Sequence, residues 1–404
     1  MILEHYWQRQ AVHQVVKISG VRALYLNNLL RGIAGSMVAI FFPAYVFLWG
    51  YENGGLAMGL RVLILSLVIE RGLVFLLAGP LGRLVKRIGF KMSILLSSLL
   101  LSVWFILPAI FPRSLVLIIV LSVVAAFLIP VYWLARLSIL SLDGDKDRYG
   151  GEVSFLALLD QASSILGPFV GGVLVAISGF GLLFGVATFV CLLSAIPIFF
   201  VGDYQIKDGI SLKHFEKWME NKKERHLHWS FIGQGLANMV DANFWPLYVY
   251  LIVGSFAVLG ALTSISFALA AVAIYLAGRV FDKKRALGGV EDEKEYTLAT
   301  IFLGLLTLLR PLIRSVLGLL SFDAVFRMSL PFWGVDYDAY LFSAGKRARS
   351  VLEFFTYREV LYSLSRVVGP MILLLFVGSN YFWWVVFGLG SVGTWLTLGM
   401  QKES

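Results

Sequence analysis

The sequence predicts an all-α integral membrane protein of twelve transmembrane helices in two pseudo-symmetric six-helix halves, and three observations predict it. The first is an internal repeat: Phe41-Phe42-Pro43-Ala44-Tyr45-Val46-Phe47-Leu48 returns as Phe244-Trp245-Pro246-Leu247-Tyr248-Val249-Tyr250-Leu251, and upstream Gly32-Ile33-Ala34 lies opposite Gly235-Leu236-Ala237 at the same offset. A unit of roughly two hundred residues, repeated in an apolar chain, points to a transporter built from two halves. The second is composition. The 404 residues are 59% hydrophobic and 15% charged, with a mean hydropathy of +0.82, too few charges to cover a soluble surface. The third is length: at about 20 residues per span the chain has room for roughly twelve helices and none for a second, solvated domain.

Taken in order, a segment over 1–21 mixes His, Gln, Arg and Lys with apolar residues. It lacks the unbroken apolar core of a cleavable signal peptide and reads as a short interfacial helix on the cytoplasmic side. The first half, 22–202, holds apolar stretches at about 22–50, 56–81, 91–111, 115–136, 153–177 and 180–201. A linker over 203–228 follows, in which Lys213, Lys217, Lys222, Lys223 and Arg225 alternate with Glu216, Glu220 and Glu224 at helix-like spacing. The second half, 229–404, repeats the pattern at about 229–253, 255–279, 296–313, 316–341, 350–377 and 381–400. Pro43, Pro108, Pro130, Pro246, Pro311, Pro331 and Pro370 fall in or near spans, where neighbouring helices satisfy the freed carbonyls and a kink serves as a bend.

The net charge of +9 would suggest nucleic acid in a soluble protein. Here Lys and Arg gather in alternate loops, as membrane topology demands, and no nucleic-acid partner is expected. Arg83, Lys86, Arg87 and Lys91 follow span two, Arg279, Lys283, Lys284 and Arg285 follow span eight, and Lys346, Arg347 and Arg349 follow span ten. These loops are expected in the cytoplasm, with both termini. The single Cys191 lies in an apolar span, which excludes a disulfide framework and a cysteine metal site. His5, His13, His214, His226 and His228 all lie outside the spans, and His226 and His228 read as cytoplasmic surface residues. With no phosphate-binding loop, metal-spaced cluster or nucleophile elbow, no enzyme activity, metal or cofactor is expected.

The loop Gly82-Arg83-Leu84-Val85-Lys86-Arg87-Ile88-Gly89-Phe90-Lys91 and its counterpart Gly278-Arg279-Val280-Phe281-Asp282-Lys283-Lys284-Arg285 resemble, in letters and placement, the loop signature of the major facilitator superfamily. That signature sets an acid and several bases behind a glycine between the second and third helices of each half. The resemblance implies a rocking transporter in which Gly82, Arg83, Lys86, Arg87, Gly89, Gly278, Arg279, Asp282 and Lys283 latch one conformation through salt bridges and helix-end contacts. Lys86 stands where the signature has its acid, which alters or removes the first latch; Asp282 keeps it. In span five, Gly167-Pro168-Phe169-Val170-Gly171-Gly172 is similar to a segment of drug/proton antiporters of the superfamily, and Gly167, Pro168, Gly171 and Gly172 are expected to let helices pack closely.

Charges inside spans cost roughly 2.5–3.5 kcal/mol each on insertion scales and normally face a cavity or a partner. Asp241 lies about thirteen residues into span seven, roughly 18 Å deep at 1.5 Å per residue. Gln234, Asn238 and Asp241 share one polar face, where a partly dry carboxylate can exchange protons; it is a coupling residue or a buried hydrogen-bonder. Opposite, Asn27, Asn28 and Arg31 lie on span one, Arg31 aligning with Gln234. Arg31 either binds an anionic group two-pronged or pairs with Asp241 or Glu70. Glu70 and Arg71 are adjacent and diverge by about 100°, so one is expected to face the cavity and the other a neighbouring helix. Asp323 and Arg327 sit one turn apart, where a salt bridge is the simplest reading. Asp160, Arg358 and Glu359 are gate or ion-pair candidates, followed by Arg366; Arg310 near the end of span nine is expected to snorkel.

The expected function is secondary transport of a small solute across the plasma membrane by alternating access. Protons are expected to drive it, a polar or anionic substrate is favoured, and a monomer is expected. Asp241 and Glu70 would handle coupling, and Arg31 and Arg71 would attract the anionic part of the substrate. The alternatives are a proton-coupled exporter of amphipathic drugs, a lipid scramblase or flippase, and a non-transporting sensor on the same fold.

Overall fold

A computed structural model describes the chain over residues 25–142, 149–200, 212–286 and 293–403. Side chains at 142, 149–157, 212–213, 274–286, 293 and 401–403 lie outside the description, as does the expected interfacial segment 1–21. The described chain is helical without strands. Its helices are α1 (25–39), α2 (Phe42–Ile110), α3 (Leu115–Leu142), α4 (Tyr149–Ala195), α5 (Leu212–Glu220), α6 (Arg225–Met239), α7 (Trp245–Val253), α8 (Phe256–Ala286), α9 (Glu293–Leu309), α10 (Val316–Arg347), α11 (Val351–Leu374) and α12 (Phe382–Leu396). Among the described residues, seven helical stretches are long and apolar enough to cross a membrane.

Two of the long helices are interrupted. The α2 backbone leaves helical geometry at Gly54–Gly55 and at Gly89, and α4 does so at Ser178–Gly179. Gly55, Gly89 and Gly179 have φ of 72°, 80° and 75°, the left-handed region that side chains with a Cβ avoid, so these glycines set where the chain turns. Both copies of the repeated phrase are built alike. The chain loosens at 40–41 and again through a π-turn at Val240–Phe244, and each time a proline, Pro43 or Pro246, opens the next helix from its first turn. Side-chain caps mark two further starts: Ser315 accepts from Gly318 N at 3.1 Å and Ser350 from Glu353 N at 3.3 Å.

The long α2 packs on α3, α4 and α11; α4 lies against α8, and α6 lies between α11 and α12. One apolar core gathers Phe41, Phe47, Phe184, Phe244 and Phe387; a second gathers Phe90, Phe231, Tyr337 and Phe355. Small residues set the closest contacts. A Cβ on Gly167 would meet Met37 N at 2.8 Å, and one on Gly172 would meet Phe256 O at 2.9 Å and Gly260 Cα at 3.2 Å. Gly167 and Gly171 therefore face α1, and Gly172 faces α8.

The linker differs from a purely solvated segment. Its apolar side chains turn inward: the Phe215 and Trp218 rings lie 4.9 and 5.7 Å from that of Tyr357, and Trp218 stands edge-on to His228 at 4.2 Å. His228 is 6% exposed, so it is a core residue and not the surface histidine expected, because α5 covers it.

Candidate functional site

Charged side chains meet inside the helices in three groups. The first is built on the π-turn. Widening the helix by one residue at Val240–Phe244 turns Asp241 out of the regular ladder, a distortion frequent at functional positions. Its carboxylate bonds Arg310 Nη1 at 2.5 Å; the arginine side chain is 1% exposed and the aspartate 35%. The expectation that Arg310 snorkels is corrected. The 3₁₀ turn Arg310–Leu312 ends α9, and the guanidinium points inward, 4.5 Å from the Trp245 ring and 4.2 Å from that of Phe326. Flat apolar rings and one carboxylate replace its water, a desolvated cation–π setting. Next to it Trp245 Nε1 donates to Asp323 Oδ1 at 2.8 Å, and Arg327 Nε donates to Asp323 Oδ2 at 2.7 Å. Arg327 also stacks on Phe267 at 3.8 Å, whose carbonyl accepts from Gln161 at 2.7 Å. Gln234, Asn238 and Asp241 all keep open surface, while Gly233, Gly235, Met239 and Val240 around them are buried.

The second group lies around α1. Arg31 makes neither ion pair considered for it. Its terminal nitrogens donate to Ser98 and Ser97 at 3.0 and 2.9 Å, and its plane stacks on Tyr132 at 3.9 Å. Asn27 turns to Ser194 O at 2.6 Å and Asn28 to Asp160 Oδ1 at 2.9 Å. The other Asp160 oxygen accepts from Arg136 at 2.6 Å. A cavity of about 20 Å³ beside Asn28, Tyr132 and Arg136 has room for about one water.

The third group spans α2 and α11. Glu70 and Arg71 were expected to diverge, but Glu70 Oε1 lies 2.8 Å from Arg71 Nε, because two long side chains can curl toward each other across a 100° step. The contact is close but not aligned as a hydrogen bond, and Arg71 Nε and Nη1 have no protein acceptor. Arg358, Tyr362 and Arg366 lie one turn apart on α11: the two arginines sit 5.0 and 5.3 Å from the Tyr362 ring. Arg358 donates to Gln234 Oε1 at 2.6 Å and lies 3.9 Å from Glu359, which accepts from Ser363 at 3.4 Å. The charges of Arg71, Glu70 and Glu359 reach Arg366, and Asp338 on α10 is within electrostatic reach of both Arg358 and Arg136. The Nε atoms of Arg358 and Arg366 are buried without a protein acceptor.

Sequence reasoning missed Arg136 and Asp338. Arg136 falls at the predicted end of span four, whereas α3 runs six residues further, to Leu142; its spacing of four from Tyr132 was the available signal. Asp338 lay unremarked in a predicted span. In the loop motifs the glycine that breaks the chain is Gly89: the helix passes through buried Gly82 and exposed Arg83 and Arg87, with Lys86 partly buried, to Ile88. Lys91 caps a helix end, donating to Phe199 O at 3.0 Å. Gly278, Arg279, Asp282 and Lys283 lie on the α8 backbone, and their side chains fall outside the described residues.

Residues 24–348 match the Major Facilitator Superfamily. The chain belongs to the major facilitator superfamily. It is therefore a multi-pass membrane transporter and not an enzyme. No curated protein sequence matches it. Among solved structures it is similar to a peptide transporter POT in complex with sulfate, at 13% identity and a TM-score of 0.68, covering 95% of this chain and 93% of that one. A point mutant of that transporter, also with sulfate, gives 13% identity and a TM-score of 0.68, over 95% and 94%. At such identity the likeness concerns the fold alone.

Proposed function

We propose that this superfamily member is a proton-coupled secondary transporter of a polar or anionic small solute, working by alternating access between two six-helix halves in the plasma membrane with both termini cytoplasmic. The two-half, twelve-span organisation is supported by the breaks at Gly54–Gly55, Gly89 and Gly179, which cut the longest helices close to the expected boundaries between spans. The like construction around Pro43 and Pro246 supports it further.

The observation that carries the coupling is the Asp241–Arg310 pair: a fully buried guanidinium held by a carboxylate that itself keeps about a third of its surface open. Among the described residues Asp241 is the carboxylate paired with Arg310, and protonating it leaves a buried cation without that counter-ion. Proton arrival is thereby tied to a rearrangement of α6, α7 and α9. The solute would occupy the open face of Gln234 and Asn238 and the arginine-rich surface across it. The exporter reading loses its ground in α4, since the close approach to α1 and α8 accounts for Gly167, Gly171 and Gly172 without a substrate.

Proteoliposomes test the reading. A panel of organic anions, sugars and lipophilic cations is first screened for thermal stabilisation, and the stabilising solute is then followed with a pH-sensitive dye inside the vesicles. Asp241→Asn is expected to abolish proton movement driven by the solute while the protein stays folded and still exchanges solute for solute. Proton-coupled transport undiminished in Asp241→Asn sinks the proposal.

A further inference from the structure

A cavity of about 570 Å³ opens where the docked linker meets the start of α11. Its volume lies within the roughly 300–1,000 Å³ of small-ligand sites, and the transport reading makes no use of it. Its walls come from Trp218 on α5, the turn before α6, the last turn of α10 and the first two turns of α11. Two kinds of side chain face it. Trp218, Phe354 and Tyr357 offer ring surface, while Lys223, Arg347 and Arg349 are exposed. These three cations outnumber the two acids of the lining, Glu224 and Glu353.

The acid nearest the rings is already engaged. Glu353 is 5% exposed; its Oε1 accepts from the Tyr357 hydroxyl at 2.6 Å and lies 3.3 Å from His214 Nδ1. The far side of the His214 ring meets Arg349, whose Nη1 is 2.9 Å from Nε2. A guanidinium can only donate, so Nε2 accepts and the ring proton sits on Nδ1, facing Glu353. Tyr357, Glu353 and His214 thus form a relay that ends by holding Arg349 in place. A neutral imidazole satisfies one donor of the guanidinium and leaves its charge to act on the cavity. Ser350, the cap of the 24-residue α11, lines the same space, so the positive end of that helix adds to the field.

We propose that this cavity binds a small anion carried on a flat apolar ring, its carboxylate or phosphate held by Arg347 and Arg349 and its ring laid on Trp218 and Tyr357. Guanidinium forks match the oxygens of either group, and an arginine held in place before binding lowers the cost of ordering it. An occupant would brace α5 against α11, the helix that carries Arg358, Tyr362 and Arg366. Under the topology proposed above this face is cytoplasmic and the ligand comes from inside the cell; the site itself stands without that reading.

The test uses the purified full chain and measures thermal midpoint and calorimetric Kd. Phenyl phosphate and benzoate are compared with inorganic phosphate, benzyl alcohol and benzyltrimethylammonium at matched ionic strength. At least one ring-bearing anion is expected to bind saturably, at least ~10-fold more tightly than inorganic phosphate because its ring is buried. The alcohol and the cation are expected to be inactive, and which anion acts separates phosphate from carboxylate. Arg347→Gln and Arg349→Gln are each expected to weaken Kd at least ~10-fold. Lys222→Gln, exposed beside Lys223 but outside the lining, is expected to match the wild type.

Four results overturn the proposal: no saturable binding of either ring-bearing anion, equal binding of the alcohol or the cation, inorganic phosphate bound as tightly as the ring-bearing anions, or an unchanged Kd in both arginine variants. If an arginine variant fails to fold, the wild-type ligand series decides alone. The same variants keep this site apart from the transport reading. Stabilisation by an anion that survives both substitutions belongs to the solute face and counts against the cavity. Arginine-dependent binding of an anion that proteoliposomes do not transport assigns it to the cavity and leaves the transport reading untouched.

Discussion

Removing either member of the Asp241–Arg310 pair does not cost the same. Asp241→Ala strands a guanidinium whose side chain is 1% exposed, and leaving one member of a buried pair uncompensated costs about 3–5 kcal/mol. Arg310→Met leaves a carboxylate that is 35% exposed and that water can reach, so the lost pair is worth only about 1 kcal/mol. The methionine thioether can still pack between Trp245 and Phe326, recovering about 0.3–1.5 kcal/mol of sulfur–ring contact against the cation–π terms it replaces, about 0.5–2 kcal/mol. The net cost of Arg310→Met is then about 1–2 kcal/mol. The double variant has no stranded charge and should resemble Arg310→Met, which makes the coupling energy equal to the whole Asp241→Ala cost, about 3–5 kcal/mol. Thermal and denaturant unfolding of the four proteins in one detergent measures the cycle. The expected order is wild type, then Arg310→Met together with the double variant, then Asp241→Ala. Additive losses, or Arg310→Met as damaging as Asp241→Ala, would refute the claim that the burden lies on the buried guanidinium.

Close packing gives a second expectation. A Cβ on Gly260 would lie 3.1 Å from Gly172 Cα and against the Pro168 carbonyl, so Gly260→Ala should cost about 1–3 kcal/mol in thermal unfolding. Gly388→Ala in α12, with nothing within 4 Å, should be neutral or stabilising by about 0.5–1 kcal/mol. Trp245→Phe removes the indole donor from the buried Asp323 carboxylate and should destabilise by about 1–3 kcal/mol. Acid should act through His228, which burial, and then the charges of His226 and Arg225, push down to about 4 from 6.5. Between those values the unfolded chain binds more protons than the folded one, so stability falls as pH drops from 6.5 toward 4. At about 1.4 kcal/mol per unit the loss is at most about 3 kcal/mol, and His228→Gln should flatten that slope.

Much of the helical layout was legible because its signals are local. Gly54–Gly55, Gly89 and Gly179 break the chain within a residue or two of predicted span ends, and Pro43 and Pro246 open helices as an N-terminal proline should. Asp323 and Arg327 met because i,i+4 spacing is a property of one helix. Arg310 and Arg31 could not be assigned this way. Their partners, Asp241 and the serines at 97 and 98, come from other helices, and which helix adjoins which is not written in any window of sequence. The linker was half legible: its charge spacing gave a helix, but only docking shows that Phe215 and Trp218 cover His228.

α11 carries too many charges for a helix that faces lipid. Within its 24 residues no crossing-length window carries fewer than three charges; even the most apolar one, 357–374, holds Arg358, Glu359 and Arg366. At roughly 2.5–3.5 kcal/mol per charge such a helix could not face lipid. It does not have to, since every residue from 352 to 359 is buried against protein, with α2 on one side and α6 on the other. Other helices are apolar enough to cross the membrane, which leaves α11 free to carry charge. A helix that reads poorly as a span, inside a chain that otherwise reads well, therefore marks the interior where solute chemistry is possible. In this protein that helix holds Arg358, Tyr362 and Arg366 along one face.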